Sequence, residues 1–195
     1  MIPRYPTRPT LRLRRLSLAF AAPVLLAGQS ARAASQDDWA TASDIGVGGL
    51  VLWSLGVPAA EGDTQGAVQA GASVAAGFGA AQGLKQVFPE QRPDGSGADS
   101  FPSGHTATAF AAATSILERR GPGEGIPALA LASLVGLARV EADKHHWYDV
   151  LAGAALGSGA GLLITRHKPD RDGRMAVLMP WGDLHGGGVT CAARF

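Results

Sequence analysis

The sequence predicts an all-α fold, a bundle of five to six helices followed by a short C-terminal β-hairpin. Three observations carry this. Apolar runs rich in Ala and Gly, of helical rather than strand length, are separated by Gly, Pro and polar breaks. Small residues recur at every fourth position, at Gly153, Gly157 and Gly161 and again at Ala75, Gly79 and Gly83, which gives a helix a face that another helix can approach closely. Few positions before residue 175 show the β-branched alternation of a strand.

Residues 1–33 read as an export leader. Arg4, Arg8, Arg12, Arg14 and Arg15 precede the apolar stretch 16–28, and Ala31-Arg32-Ala33 fits the small-x-small cleavage rule with the cut after Ala33. The alternative is an uncleaved first membrane helix. Arg14-Arg15 suggests a twin-arginine signal, but its surroundings fit one poorly. No cysteine stands near the cut to take a lipoprotein anchor.

The helical domain is placed at 34–170. Its first helix covers 44–60, closed by Pro58 and the polar EGDTQ, and the second covers 66–87. The third covers 104–120, with Ser103 as its N-cap and Gly121-Pro122-Gly123 as its stop. The fourth covers 126–140, and the fifth covers 147–166 ahead of Pro169. Residues 171–195 form an extension in which 175–181 and 188–195 pair across a Gly-rich turn. The final Phe195 resembles the end of an outer-membrane barrel, but two strands cannot close a barrel.

Composition excludes several classes. The net charge of +1 hides an asymmetry: the leader holds six Arg and no acidic residue, so the remainder carries 11 Lys+Arg against 16 Asp+Glu, a net of −5. A basic nucleic-acid surface is not expected. The single Cys191 permits neither an internal disulfide nor a cysteine zinc site. The acidic residues are scattered and His167 and His185 stand alone, so neither a metal site nor a cofactor is expected.

Three short segments carry the polar chemistry. In KQVFPEQRP, Lys85 and Arg92 lie at a helix end with Pro89 between them, and Pro93 biases Arg92 toward extended backbone. A Lys and an Arg there supply a point charge and a planar fork to one phosphate. Taken alone, they read as two solvated cations. In FPSGHTA, the backbone N–H groups of Ser103, Gly104 and His105 open a helix, where anions bind, and the Ser103 hydroxyl adds a donor. Taken alone, His105 reads as a capping or surface residue. In ARVEADKHHWYDV, His145 and Asp149 are one turn apart if the helix begins by Lys144, so the carboxylate can hold the ring and leave its other nitrogen free as a nucleophile. Arg139 can join Arg92 on the phosphate oxygens. His146 points away from His145 and reads as structural or as a support to the site residues, Trp147 and Tyr148 as packing residues rather than substrate contacts, and Asp143 and Lys144 as loop charges.

Together the segments resemble the three signature motifs of the type 2 phosphatidic acid phosphatase and vanadium haloperoxidase superfamily. The matching residues are Lys85 with Arg92-Pro93, then Pro102-Ser103-Gly104-His105, then Arg139, His145 and Asp149. The resemblance spans about residues 65–166. One departure is Ala138, where the family usually has Ser before the Arg. The resemblance implies a metal-independent phosphatase acting through a phosphohistidine. His145 is the implied nucleophile, Asp149 orients it, and His105 protonates the leaving oxygen and later activates water. Lys85, Arg92, Ser103, Gly104 and Arg139 hold the phosphoryl oxygens.

The substrate class this suggests is a phosphomonoester or diphosphate, above all of a lipid. One alternative is a vanadate-dependent haloperoxidase, disfavoured because those chains are usually longer. The other is a non-catalytic helical envelope protein with a phosphate pocket. The chain is expected to be exported, as a compact periplasmic helical protein in contact with the membrane. The alternative is a helix set spanning the inner membrane, with the basic segments 119–120 and 166–174 inside and Lys85, His105 and His145 outside.

Overall fold

A computed structural model describes residues 34–167 and the backbone of 175–183 and 186–194. The predicted leader, Pro169 and the terminal Phe195 lie outside the described residues.

Five helices follow in order: α1 Gln36–Ala60, α2 Thr64–Val87, α3 Gly104–Arg120, α4 Pro122–Glu141 and α5 Trp147–Ile164. Three begin earlier than their apolar runs, α2 by two residues behind its Asp63 cap and α1 and α4 by more, and in each case a local signal sets the start. The Ser35 side chain accepts from the Asp38 N–H while the Asp38 carboxylate accepts from the Ser35 N–H, a capping box that starts α1 eight residues before Asp44. Pro122, pre-set for helical φ at the first position, starts α4 immediately after Gly121 (φ 84°), which ends α3. The ends of α3 fall where the sequence placed them, with Ser103 as the N-cap. β1 Met175–Asp183 and β2 Gly186–Arg194 pair antiparallel, Met175 opposite Arg194, in the region where the hairpin was expected.

α3 packs against all four other helices, which contact one another in the order α1–α2–α5–α4 and back to α1. It is therefore an axle inside a ring. Its inward-facing residues are small because helices contact it on every side: Ala107, Ala109, Ala111, Ala112 and Ala113 are fully buried. The α5 stripe of Gly153, Gly157 and Gly161 lies directly on α3. A Cβ at Gly157 would fall 2.1 Å from the Ala107 carbonyl oxygen, and one at Gly153 would fall 2.5 Å from that of Ser103. The other predicted stripe is corrected: Ala75, Gly79 and Gly83 face outward, and α2 instead buries Ser73, Gly77 and Ala81. Spacing alone shows that a small-residue stripe exists but not which way it faces.

The outer faces are apolar. Ile45 and Leu52 on α1, Leu134 and Leu137 on α4, and Leu151, Leu162 and Leu163 on α5 are all more than half exposed. α1, α4 and α5 are each long and apolar enough to cross a membrane, which fits membrane association.

The α3–α5 contact yields a direct prediction. Gly157→Ala should lower stability by about 1–3 kcal/mol through overpacking, seen as a lower thermal midpoint. Gly159→Ala, whose added methyl would meet nothing within 4 Å, should not.

Candidate active site

The site lies at one end of the bundle, where the last turn of α2, the start of α3, the end of α4 and the start of α5 meet. The tie between α3 and α5 is a backbone bond: the Ser103 N–H donates to the Asp149 carbonyl at 3.0 Å. This corrects one expectation. Ser103 is not a free N–H donor at the helix mouth, and its fully buried hydroxyl oxygen accepts from the Thr106 hydroxyl at 2.9 Å. Gly104 and His105 remain as the first-turn N–H groups that an α-helix leaves without intrahelical partners. The Phe101–Pro102 peptide leading into them is cis.

His145 does not share a helical turn with Asp149, as a helix beginning by Lys144 would have it. α5 begins at Trp147 with His146 as its N-cap, so His145 precedes the helix and Asp149 occupies the third helical position. The pair still meets: His145 Nδ1 lies 3.6 Å from Asp149 Oδ2, an ion-pair distance longer than a hydrogen bond. Both side chains are buried. Asp149 Oδ2 is held from two other directions, by the Ser100 hydroxyl at 2.5 Å and the His146 N–H at 2.8 Å. Ser100 was not singled out in the sequence, where nothing distinguishes it from a loop serine.

Three cations surround the two histidines. Arg139 is buried and its Nη1 donates to the Ser43 hydroxyl at 3.3 Å. Arg92 forks onto the Asp99 carboxylate, with Nε and Nη2 each 2.9 Å from an oxygen. Lys85 Nζ donates to the Asp99 carbonyl and, at 3.3 Å, to the Ser100 carbonyl. Burial pushes the His145 imidazole down to about 4, helped by the positive charges of Arg139 and Lys85 and opposed by Asp149. His105 is also lowered, first by burial and then by Arg139, with Asp44 opposing. Asp44 is a second residue the motifs did not disclose. It stands on α1, 61 residues before His105, with Oδ1 2.8 Å from His105 Nε2. No sequence signal separates it from other exposed acids.

The segment around His146 departs from its sequence reading at Trp147. His146 Nδ1 lies 3.4 Å from Asp149 Oδ2, and its ring stacks on Tyr148 with centroids 5.0 Å apart. Trp147 is 66% exposed and is not a packing residue. Lys144 is a paired loop charge, 2.5 Å from Asp94 Oδ2. Glu90, His146 and Asp149 bring ligand-type atoms within 4.8 Å of one another, a gathering of carboxylates that the scattered acidic residues did not suggest. In the absence of an ion, Asp149 Oδ2 already accepts two hydrogen bonds, and Glu90 accepts from the Tyr148 hydroxyl. Beside the site lies an open apolar groove lined by Leu84, Val87, Phe88, Pro89, Phe101 and Tyr148. Phe101 follows Ser100 in the chain, and Tyr148 precedes Asp149.

Three partly desolvated cations near two histidines and a helix N-terminus are an arrangement with the chemistry to hold an oxyanion. Arg139→Ala should weaken binding of orthovanadate, measured by calorimetry, by at least about tenfold, the loss of one charge-assisted hydrogen bond.

Comparison with known proteins agrees with this geometry. A family model described as the PAP2 superfamily matches residues 66–172, more than half of the chain. The lipid A 1-phosphatase of Porphyromonas gingivalis is 46% identical over 82 residues, covering 40% of this chain and 18% of that protein. The lipid A 4'-phosphatase of Helicobacter pylori is 33% identical over 105 residues, covering 48% of this chain and 53% of that protein. The chain thus spans about half or less of these relatives' lengths. The crystal structure of Aquifex aeolicus LpxE superposes with a TM-score of 0.57 at 22% identity, over 66% of this chain and 83% of that one, and shares the fold.

Proposed function

The chain belongs to the PAP2 superfamily, and on that premise we propose that it is a phosphoric monoester hydrolase that removes phosphate from a lipid through a phosphohistidine on His145. The observation that carries the proposal is geometric: His145 Nδ1 lies 3.6 Å from Asp149 Oδ2, that carboxylate takes the Ser100 hydroxyl, and Lys85 donates to the Ser100 carbonyl, with Arg92 and Arg139 at the same end of the bundle.

The chemistry follows from the residues. His145 has Nδ1 toward Asp149, which leaves Nε2 to attack phosphorus in line as the P–O bond to the lipid breaks. Asp149 stabilises the ring as it becomes positive. His105 gives its proton to the leaving oxygen, then takes one from the water that cleaves the N–P bond and regenerates His145. Lys85, Arg92, Arg139 and the Gly104 and His105 N–H groups neutralise the phosphoryl oxygens in the transition state. Arg92 reaches the phosphate by exchanging its Asp99 partner for it. Ala138 is buried beside Arg139, so the hydroxyl usual there is missing while the three cations remain. These side chains supply the positive charge without a metal.

A lipid substrate is supported by the apolar groove next to the seat, by the three helices able to cross a membrane and by the lipid A substrates named for the relatives. The orientation we favour rests on the basic sequence segments 119–120 and 166–174. The site end holds the start of α1, where Gln36 donates to Asp143 and Asp44 meets His105. The opposite end holds Arg119, paired with Asp63, Arg120, paired with Glu61 and Glu124, and Arg166, whose carbonyl accepts from the Arg119 Nη1 at 3.1 Å. With the basic end cytoplasmic, the site faces the periplasm, on the side where cleavage after Ala33 would leave the new N-terminus.

The test is release of inorganic phosphate from a phospholipid and from a soluble ester by the full chain. Wild type should prefer the lipid, and His145→Ala should release none from either. Equal rates in wild type and mutant would refute the assignment. Treatment with EDTA should leave the rate unchanged. Loss of activity restored by a divalent cation would instead favour chemistry at Glu90, His146 and Asp149.

The pH profile has a definite sign. His145 must be neutral to attack, so kcat/KM should rise through a pH of about 4. His105 must be protonated, and its value lies below the ordinary 6.5, so the rate should fall before neutrality. An acidic optimum between these limbs is expected, and a maximum above pH 7 would contradict it.

A further inference from the structure

Asp44 lies on α1, outside the residues 66–172 matched by the family model, and the three signature motifs give it no role. One of its oxygens, Oδ1, lies 2.8 Å from His105 Nε2 and 3.9 Å from Arg139 Nη1. We propose that Asp44 is the positioning residue for His105: it holds the ring through Nε2, leaves Nδ1 for the leaving oxygen, and keeps the ring cationic until the proton is transferred. This rests on reading His105 as the acid of the phosphatase reaction.

The need for such a residue follows from the surroundings of His105. Arg139 on α4 and Arg92 in the α2–α3 connection both bear on the ring, and the ring is partly buried. Each of these drives the proton off an imidazole. The first two turns of α3 carry no other charged residue, and Lys85 on α2 and Asp149 on α5 bear on His145. Asp44 is the negative charge that opposes the two guanidinium groups at His105.

The two histidines thus have carboxylate partners suited to opposite tasks. Asp149 is fully buried and serves a ring that must start neutral. Asp44 is 62% exposed and within hydrogen-bond distance of a ring that must start charged. In the first half-reaction the proton moves from His105 to the lipid oxygen. In the second it moves from water to His105. Asp44 neither gains nor loses a proton in either.

The test uses the full chain with Asp44→Asn, Asp44→Glu and Asp44→Ala. His105 is titrated by ring NMR, its signal identified by its loss in His105→Asn. In parallel, kcat/KM for p-nitrophenyl phosphate is followed against pH. In Asp44→Asn the His105 titration and the alkaline limb of the profile should move together to lower pH by about one unit, the low end of the range for a nearby opposite charge. Above the limb this is a roughly tenfold loss in rate, shrinking toward lower pH. Asp44→Glu should recover part of the shift. Asp44→Ala should lose rate at every pH, because the amide of Asn can still accept from Nε2 and a methyl cannot.

An unmoved His105 titration in Asp44→Asn overturns the proposal. So does a moved titration with an unmoved limb. Tighter inhibition of Asp44→Asn by inorganic phosphate with an unmoved limb overturns it as well, and makes Asp44 a competitor for the phosphate seat. If His105→Asn is as active as wild type, the acid assignment falls and the proposal falls with it. An inactive His105→Asn beside an unshifted Asp44→Asn sinks the role of Asp44 alone.

Discussion

The site depends on how closely α5 approaches α3. Glycines at 153, 157 and 161 let the α5 backbone lie against the carbonyls and small side chains of α3, and a single methyl group there would collide. That approach lets the Ser103 N–H reach the Asp149 carbonyl. The second and third signature segments are thereby joined backbone to backbone. His105 and His145 are positioned by the same contact, on either side of it, so their separation depends little on long side chains or on the loops between helices.

The second constraint is charge. Lys85, Arg92 and Arg139 are partly or wholly removed from water within one small region, where like charges repel more strongly than in bulk solvent. Each is held by an oxygen: the Asp99 and Ser100 carbonyls for Lys85, the Asp99 carboxylate for Arg92 and the Ser43 hydroxyl for Arg139. In the proposed reaction these are the partners that a phosphate dianion would replace. The cost of keeping three cations together is thus offset by these oxygens.

Much of this was legible in the sequence. The α3 boundaries followed from Ser103 and Gly121, and the motif residues fell at one end of the bundle because their spacings place each beside a helix terminus. What was not legible depends on long-range contact. Asp44 and Ser100 carry no local signature, since each acquires its meaning from a residue 61 or 49 positions away. The start of α5 at Trp147 was legible from its apolar run, but the one-turn pairing of His145 with Asp149 was not, because the Asp149 carboxylate caps the His146 N–H and the helix begins after His145. The α2 stripe was assigned to the wrong face because a repeat of four fixes a period but not a direction.

The alanine lining of α3 has a consequence for how the protein tolerates change. Most proteins lose stability when a large core side chain is shortened and a cavity opens. Around Ala107, Ala109, Ala111, Ala112 and Ala113 there is almost nothing to shorten. An alanine also has little side-chain freedom to lose on burial, so the axle is ordered cheaply and without alternative rotamers. Apart from glycine, every substitution there goes toward a larger group, and each added carbon pushes a ring helix outward. Errors at these positions would therefore widen the bundle rather than hollow it, and would be felt first as a loss of alignment between the two histidines.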